Sequence, residues 1–411
     1  MERIYIVVTP FFPTPTSWRG PFCYDFVKAL AHQLELRVGV GEWRVLVFKE
    51  GDGSDDEIGG VKVHPFKALR LPSNIFPFLF KRHNQKSFLK KVETVICSTF
   101  NLQPSVCFDA IEVCHAHTAN YGIYPLALKK FNSKCKALLH HHDPQSFGLN
   151  TGIFRHCWFY NLIQFPILRR VFEKIDCHAF ISEMVKKSFL MAPYTSWTDY
   201  EGYKKQMRGL PYRPAKIKDS IILHNGVDKS VFREVEGRRP KVEGQFVIGC
   251  VGNFLDWKDQ MTLIRAVAKL KDEGRRLRLR FVGSGPYLEE CKRYVSAHDI
   301  DAEFLTEMRH EQLPDFYRSL DLFVLPSYFE GFGCVFTEAH SSGVPFITCE
   351  GQGTEDIIPL CERHLWFAKP SDEVDLANKI EFYMDNRPTQ HLTEDQDINK
   401  LVGNFVEGIV K

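Results

Sequence analysis

Short apolar runs alternate along the chain with longer segments whose apolar residues recur at helical spacing. Ile4–Val8 is the first run, and it meets Pro10 and Pro13 within a few residues. A turn-rich loop, Thr9–Gly20, follows, and then Phe22–Gln33 at helical spacing. Arg44–Phe48 and Val61–Phe66 read as strands on either side of a Gly/Asp-rich turn, Gly51–Gly60. Ile111–His115, Ala137–His141, Ala179–Ile181 and Ile221–Leu223 extend the strand series, with a helix predicted over Gly122–Lys130. Alternation of this kind implies βαβ units and a parallel sheet.

A second series starts at Phe246. Strands are predicted over Phe246–Val251, Leu277–Val282, Ala302–Leu305, Leu322–Leu325 and Pro345–Thr348. Helices are predicted over Asp259–Lys271, where Leu263, Ile264, Val267 and Leu270 share one face, and over Pro286–Ala297. The expected fold class is α/β, with two doubly wound Rossmann-like domains facing each other across a cleft. The expected boundaries are 1–225 for the first domain, 226–245 for a polar linker and 246–390 for the second domain. The tail, 391–411, ends in a weakly amphipathic stretch and is a candidate helix packing back on the first domain. Sheets of this class bind ligands at the carboxyl ends of their strands.

Bulk composition narrows the function classes. A chain of 411 residues suits two domains, each large enough to bury its own core. The net charge of +2 argues against a nucleic-acid partner, which calls for a basic domain. The twelve cysteines are scattered and form no C-x-x-C pair, which fits reduced cysteines in a reducing compartment. The expected location is cytoplasmic, with peripheral attachment to the inner membrane face as a candidate. No stretch approaches a membrane span, and the N-terminus reads as a buried strand rather than a secretory signal.

The chemistry concentrates in Pro326–Gly343, PSYFEGFGCVFTEAHSSG. A buried strand ends at Pro326, a loop carries Gly331 and Gly333, and a helix starts near Val335 and stops before Gly343. Glycines let backbone N–H groups approach a ligand, and the helix N-terminus adds partial positive charge. Together they suit a phosphate. Glu330 and Glu338 bracket the loop: Glu338 is placed to accept from a ribose diol, Glu330 to hold a sugar hydroxyl. A charged cap and a solvated glutamate would account for the same residues without a ligand.

The string EGFGCVFTE, followed by Gly343-Val344-Pro345, resembles the signature of the family 4 retaining glycosyltransferases, which have the GT-B fold. HNGVDKSVF (His224–Phe232), VGNFLDWKD (Val251–Asp259), FVGSGP (Phe281–Pro286) and GQGTEDII (Gly351–Ile358) resemble further family segments in the same order. The resemblance is strong from Ile221 to Ile358 and weaker before it. It implies a hexosyltransferase that takes a nucleotide-diphosphate sugar of the UDP or GDP type. It implies a glycan or lipid-linked acceptor held by the first domain, in polysaccharide or glycolipid synthesis, and neither metal nor cofactor.

By the same resemblance, Lys258 and the backbone around Gly331, Phe332, Gly333 and Cys334 bind the donor diphosphate, while Glu330 and His117 fix the sugar and Glu338 the ribose. Asn253 stands where the family usually has Arg, which lowers the positive charge at the phosphate. Arg309 or Arg19 is the candidate replacement. Gly20 corresponds to one member of a Gly-Gly pair that meets the phosphate. Arg19, His142 and Asp143 are acceptor-side candidates. Two other enzyme or binding classes stay open: a glycoside hydrolase using both glutamates, and a nucleotide-sugar-binding protein without turnover.

Gly283-Ser284-Gly285 lacks the third glycine of a dinucleotide fingerprint. His115/His117 and His140/His142 alternate on predicted strands, so a metal site across neighbouring strands is conceivable, since such a site needs three or four converging ligands. Arg70–Lys91 and Phe154–Phe172 mix aromatic and basic residues, which suits an anionic membrane face. Thr195–Ser220 reads as a long polar insertion.

Overall fold

The computed structural model describes residues 2–13, 20–39, 41–69, 80–142, 166–190, 215–235, 244–306 and 308–410. The chain divides into two compact units. Arg19, Asp143, residues 70–79, 154–165 and 195–214 lie outside the described residues.

The first unit is built on an eight-stranded sheet in the order β3-β4-β2-β1-β5-β6-β7-β8. Its strands are β1 (Arg3–Thr9), β2 (Trp43–Glu50), β3 (Asp56–Ile58), β4 (Val61–Phe66), β5 (Ile111–His117), β6 (Lys136–His141), β7 (Cys177–Phe180) and β8 (Ser220–Ile222). All neighbours pair in parallel except β3 and β4. The stretch Gly51–Gly60, expected as a plain turn, therefore contains a short antiparallel edge strand. Its charged Asp56 and Glu57 suit an edge that must not recruit another strand. The helices are α1 (Pro21–Val38), α2 (Lys81–Phe100), α3 (Ile123–Leu128) and α4 (Glu183–Leu190). β1 is buried from Ile4 onward, as a central parallel strand covered on both faces must be.

The second unit carries six parallel strands in the order β11-β10-β9-β12-β13-β14. In chain order they are β9 (Phe246–Val251), β10 (Leu277–Val282), β11 (Ala302–Leu305), β12 (Leu322–Val324), β13 (Phe346–Cys349) and β14 (Phe367–Ala368). Numbered from the first strand of the unit, this is the 3-2-1-4-5-6 order of a doubly wound sheet. The order reverses between β9 and β12, so the loops that follow these two strands flank the switch point. The helices are α5 (Gln260–Asp272), α6 (Leu288–Ala297), α7 (Leu313–Arg318), α8 (Cys334–Ser341), α9 (Arg363–Trp366) and α10 (Glu373–Asn386).

The last helix, α11 (Ile398–Val410), returns to the first unit. It sets Ile398, Leu401, Val402, Phe405 and Val406 into the cluster formed by Phe26, Val27, Leu30 and Leu34 of α1. Gly403 leaves room there for the ends of the Gln33 and Arg37 side chains, whose atoms would lie 2.7 and 2.6 Å from a Cβ. Part of the polar stretch between the two sheets is not a free linker. Val227 bridges to Asp397, and Phe232 is buried against His310 and Tyr317 of the second unit.

Among the described residues, no helix is long and apolar enough to cross a membrane. The described cysteines are all free, and most are buried.

Candidate active site

Two loops at the switch point of the second sheet are tied together by hydrogen bonds. The loop after β9 runs through Asn253 to a short turn, Asp256–Lys258. The loop after β12 runs from Leu325 to Gly333. Tyr328 N–H and the Ser327 hydroxyl donate to the Trp257 carbonyl at 3.0 and 2.9 Å, and the Tyr328 hydroxyl donates to Asp256 at 2.8 Å. A third loop, after β13, clasps the backbone of Glu330 from both sides. Glu330 N–H donates to Gln352 Oε1 at 2.6 Å, and Gly353 N–H donates to the Glu330 carbonyl at 3.2 Å.

This stapling brings Lys258 and Glu330 into an ion pair, with 18% and 16% of the two side chains exposed. Neither is a free solvated group. A half-buried pair of this kind is screened less than a surface pair. Gly333, at φ 76°, caps the start of α8, and a Cβ there would stand 2.7 Å from the Phe336 ring. Gly331 and Phe332 are buried, while Cys334 is partly exposed at the first residue of α8. Glu338 lies in the second turn of α8 and is 7% exposed. The Tyr317 hydroxyl donates to its Oε2 at 2.8 Å, and His310 Nε2 stands 3.9 Å from its Oε1. Burial and the adjacent carboxylate hold the Tyr317 phenol well above its ordinary range, so it stays a donor.

The glycines of FVGSGP do other work. A Cβ on Gly283 would meet the Gly252 carbonyl at 2.1 Å, and one on Gly285 the Phe254 carbonyl at 2.4 Å. They let β10's loop press against the loop that carries Lys258, a packing role that no nicotinamide fingerprint is needed to explain. Asn253 is exposed, and its carbonyl accepts from Gln260 at 3.1 Å. Arg309 is exposed, and its N–H donates to Gln312.

The first-unit candidates sit elsewhere. Gly20, at φ 82°, is the residue before α1, and a Cβ there would collide with Phe11 at 2.7 Å. His117 ends β5 and is fully buried, with Cys23, Phe26 and the partly buried His142 around it. It is therefore lining rather than a surface group. The structure thus brings together Lys258, Glu330, the 331–334 loop and Glu338, and it groups His117 with His142. Gln352, Tyr317 and Tyr328 were not singled out from sequence. Gln352 stood inside the matched GQGTED string, but nothing local to it says that its amide holds Glu330.

A family description, "Glycosyl transferases group 1", matches residues 231–398. Over this stretch the chain is similar to group 1 glycosyltransferases. The matched stretch contains every second-unit candidate named above. D-inositol 3-phosphate glycosyltransferase of Nocardia farcinica is 34% identical over 136 residues, which are 31% of this chain and 29% of that protein. The chain spans between about a fifth and three fifths of the length of the curated relatives it matches. Among solved structures, sucrose-phosphate synthase from Thermosynechococcus elongatus aligns with a TM-score of 0.63 at 16% identity, covering 99% of this chain and 95% of that one. The Anabaena HepE complex with UDP and glucose aligns with a TM-score of 0.59 at 14% identity, covering 99% and 96%. At such identity the likeness shows the fold, the GT-B class of two doubly wound units.

Proposed function

We propose that the chain is a retaining hexosyltransferase that takes a nucleotide-diphosphate sugar, of the UDP or GDP type, and glycosylates a glycan or lipid-linked acceptor in surface polysaccharide or glycolipid synthesis. The observation that carries this reading is the Lys258–Glu330 pair, held at the glycine-lined start of α8 with Glu338 one turn farther on. The group 1 match over this domain supports it, and the UDP and glucose bound by the Anabaena protein support the donor class.

In this reading the donor exchanges partners with the ion pair. The diphosphate takes the Lys258 ammonium and the start of α8, and Glu330 is released to accept from a sugar hydroxyl. Glu338, fixed by Tyr317, accepts from the ribose. As the bond from the anomeric carbon to the diphosphate breaks, negative charge grows on the leaving oxygen, where Lys258 stabilises it most. The acceptor oxygen bonds the anomeric carbon from the same face, and its proton passes to the diphosphate oxygen. The oxocarbenium-like sugar needs no protein nucleophile in this sequence of events.

A pocket of about 510 Å³ in the first unit supports an anionic acceptor or surface. Lys81, Lys129, Lys130, Arg170 and Lys174 line it, and burial beside Lys130 and Lys174 lowers the Lys81 pKa. A cationic hollow of this kind gains stability when an anion enters.

Incubation with radiolabelled UDP- and GDP-sugars plus a membrane extract tests the function. Release of nucleotide coupled to label in a larger product is expected. Binding without nucleotide release would assign a non-catalytic protein, and release of free sugar alone would assign a hydrolase.

A further inference from the structure

Four imidazoles and a thiol gather at the switch point of the first sheet, where β1 adjoins β5. His115 and His117 alternate on β5, and His140 and His142 continue the same alternation along and just past β6. The register pairs His117 with His140, so the four side chains share one face. Their rings lie close, at 4.7 Å for His115–His117, 5.0 Å for His117–His142 and 4.2 Å for His140–His142.

Cys23, in the first turn of α1, brings its sulfur to 3.5 Å from His117 Nδ1, and His142 Nε2 stands 2.8 Å from the same atom. An imidazole nitrogen offers one in-plane lone pair or one proton, so it serves one such neighbour well and not two. The three atoms lie within 4.8 Å of one another. In a tetrahedral zinc site, bonds of about 2.0 Å to nitrogen and 2.3 Å to sulfur put ligand atoms roughly 3.3–3.6 Å apart. The sulfur–nitrogen spacing already fits, and the nitrogen pair has to open by roughly half an ångström.

We propose that Cys23, His117 and His142 form a site for a divalent transition ion of the zinc class, with a fourth position open to water. A rival triad, His115, His117 and His140, also converges. It is fully buried and made of neutral groups, so a dication there would lack counter-charge, which is strongly unfavourable. Cys23 supplies one negative charge, and His142 is only partly buried. Burial keeps the imidazoles of His117 and His142 neutral, the ligating form. Burial also pushes the Cys23 thiol up to about 12, so the entering ion has to displace that proton, which leaves to solvent. The Thr9 hydroxyl, 3.3 Å from the sulfur, holds it in place. The inference concerns ligation alone and stands whether or not the proposed transfer reaction is correct.

The test uses the full chain purified without chelator. About one zinc per molecule is expected to survive dialysis, read by elemental analysis. Cobalt(II) added to the stripped chain is expected to give the ligand-field bands of a four-coordinate site together with a thiolate charge-transfer band. Cys23→Ser should abolish that band and weaken zinc binding about tenfold or more. His142→Ala should weaken it comparably, and it stands in for Cys23→Ser if that variant lacks native circular dichroism. His140→Asn, outside the triad, should keep the band. A folded chain with neither bound zinc nor a cobalt spectrum overturns the proposal. So does a folded Cys23→Ser chain with the parental spectrum and affinity, which would move ligation to the rival triad.

Discussion

Tyr317 donates its hydroxyl to Glu338 Oε2 across 2.8 Å, and both side chains are buried beneath the glycine-lined loop. The bond fixes one carboxylate oxygen and leaves the other, Oε1, with His310 3.9 Å away. Tyr317→Phe removes the donor without changing the shape. A buried carboxylate that loses a partner costs about 1–3 kcal/mol. The variant is therefore expected to unfold at lower urea and to bind a nucleoside diphosphate several-fold more weakly. Urea titration and calorimetry read the two effects; unchanged nucleotide affinity would remove Glu338 from the ribose.

The glycine-rich loop and its two glutamates are legible in sequence because the chemistry is local. A strand end, two glycines and a helix start fall within 18 residues, and α8 does begin beside Gly333. The doubly wound order follows from the same alternation, and three strands of the second unit match their apolar runs, Phe246–Val251, Leu277–Val282 and Ala302–Leu305. What the sequence does not carry is pairing over long separations. The Lys258–Glu330 pair joins residues 72 apart, and Cys23 meets His117 across 94. The edge strand β3 is hidden because three residues, two of them charged, show no apolar alternation.

Glu330→Gln should separate binding from turnover. In the resting chain Glu330 competes with an incoming diphosphate for Lys258. Removing its charge frees the ammonium, so a nucleoside diphosphate without sugar should bind about fivefold more tightly, equivalent to ~1 kcal/mol. Transfer should fall, since the amide no longer accepts from the sugar as a carboxylate does. Lys258→Ala should act in the opposite sense on binding, weakening it by ~1.5–3 kcal/mol. Isothermal titration with the diphosphate and a product assay check both, and equal affinity in all three proteins would discard the partner exchange.

Gly283→Ala is expected to be destabilising with no ligand involved. The residue has φ 147°, and its Cβ would stand 2.1 Å from the Gly252 carbonyl. Backbone strain and the forced shift together amount to about 2–4 kcal/mol. A fall of that size in urea stability is expected, with nucleotide affinity reduced as the loop of Lys258 is displaced. A neutral substitution would mean that the two loops do not press together.

Neutralising the first-unit pocket should change surface binding alone. Lys81→Glu with Lys174→Glu replaces two of the five cations that line it with acidic groups. Co-sedimentation with vesicles containing phosphatidylserine should fall several-fold, given roughly 1 kcal/mol per basic residue near such a surface. Neutral vesicles are the control. An unaltered bound fraction would separate this pocket from any membrane role.

Acid should destabilise the first unit through its buried histidines, and His178 is the one whose share can be isolated. Its Nε2 lies 3.0 Å from the Phe172 carbonyl, which only accepts, so that nitrogen carries the proton. Nδ1 then accepts from His141 Nε2 at 2.9 Å. Protonating His178 would break that bond and charge a ring packed by Phe172, Phe180 and Phe189. Burial lowers its pKa from 6.5 to about 4, and His141, the titratable group facing it, is lowered in the same direction. The unfolded chain therefore takes up the proton first as pH falls. The stability due to His178 is complete above about pH 6.5 and is lost between about 6.5 and 4, by about 3 kcal/mol in all. Between pH 7.5 and 5, urea titration should show His178→Gln losing about 2 kcal/mol less than the parent, the share due to this residue. Equal losses in the two proteins would remove His178 from the acid response.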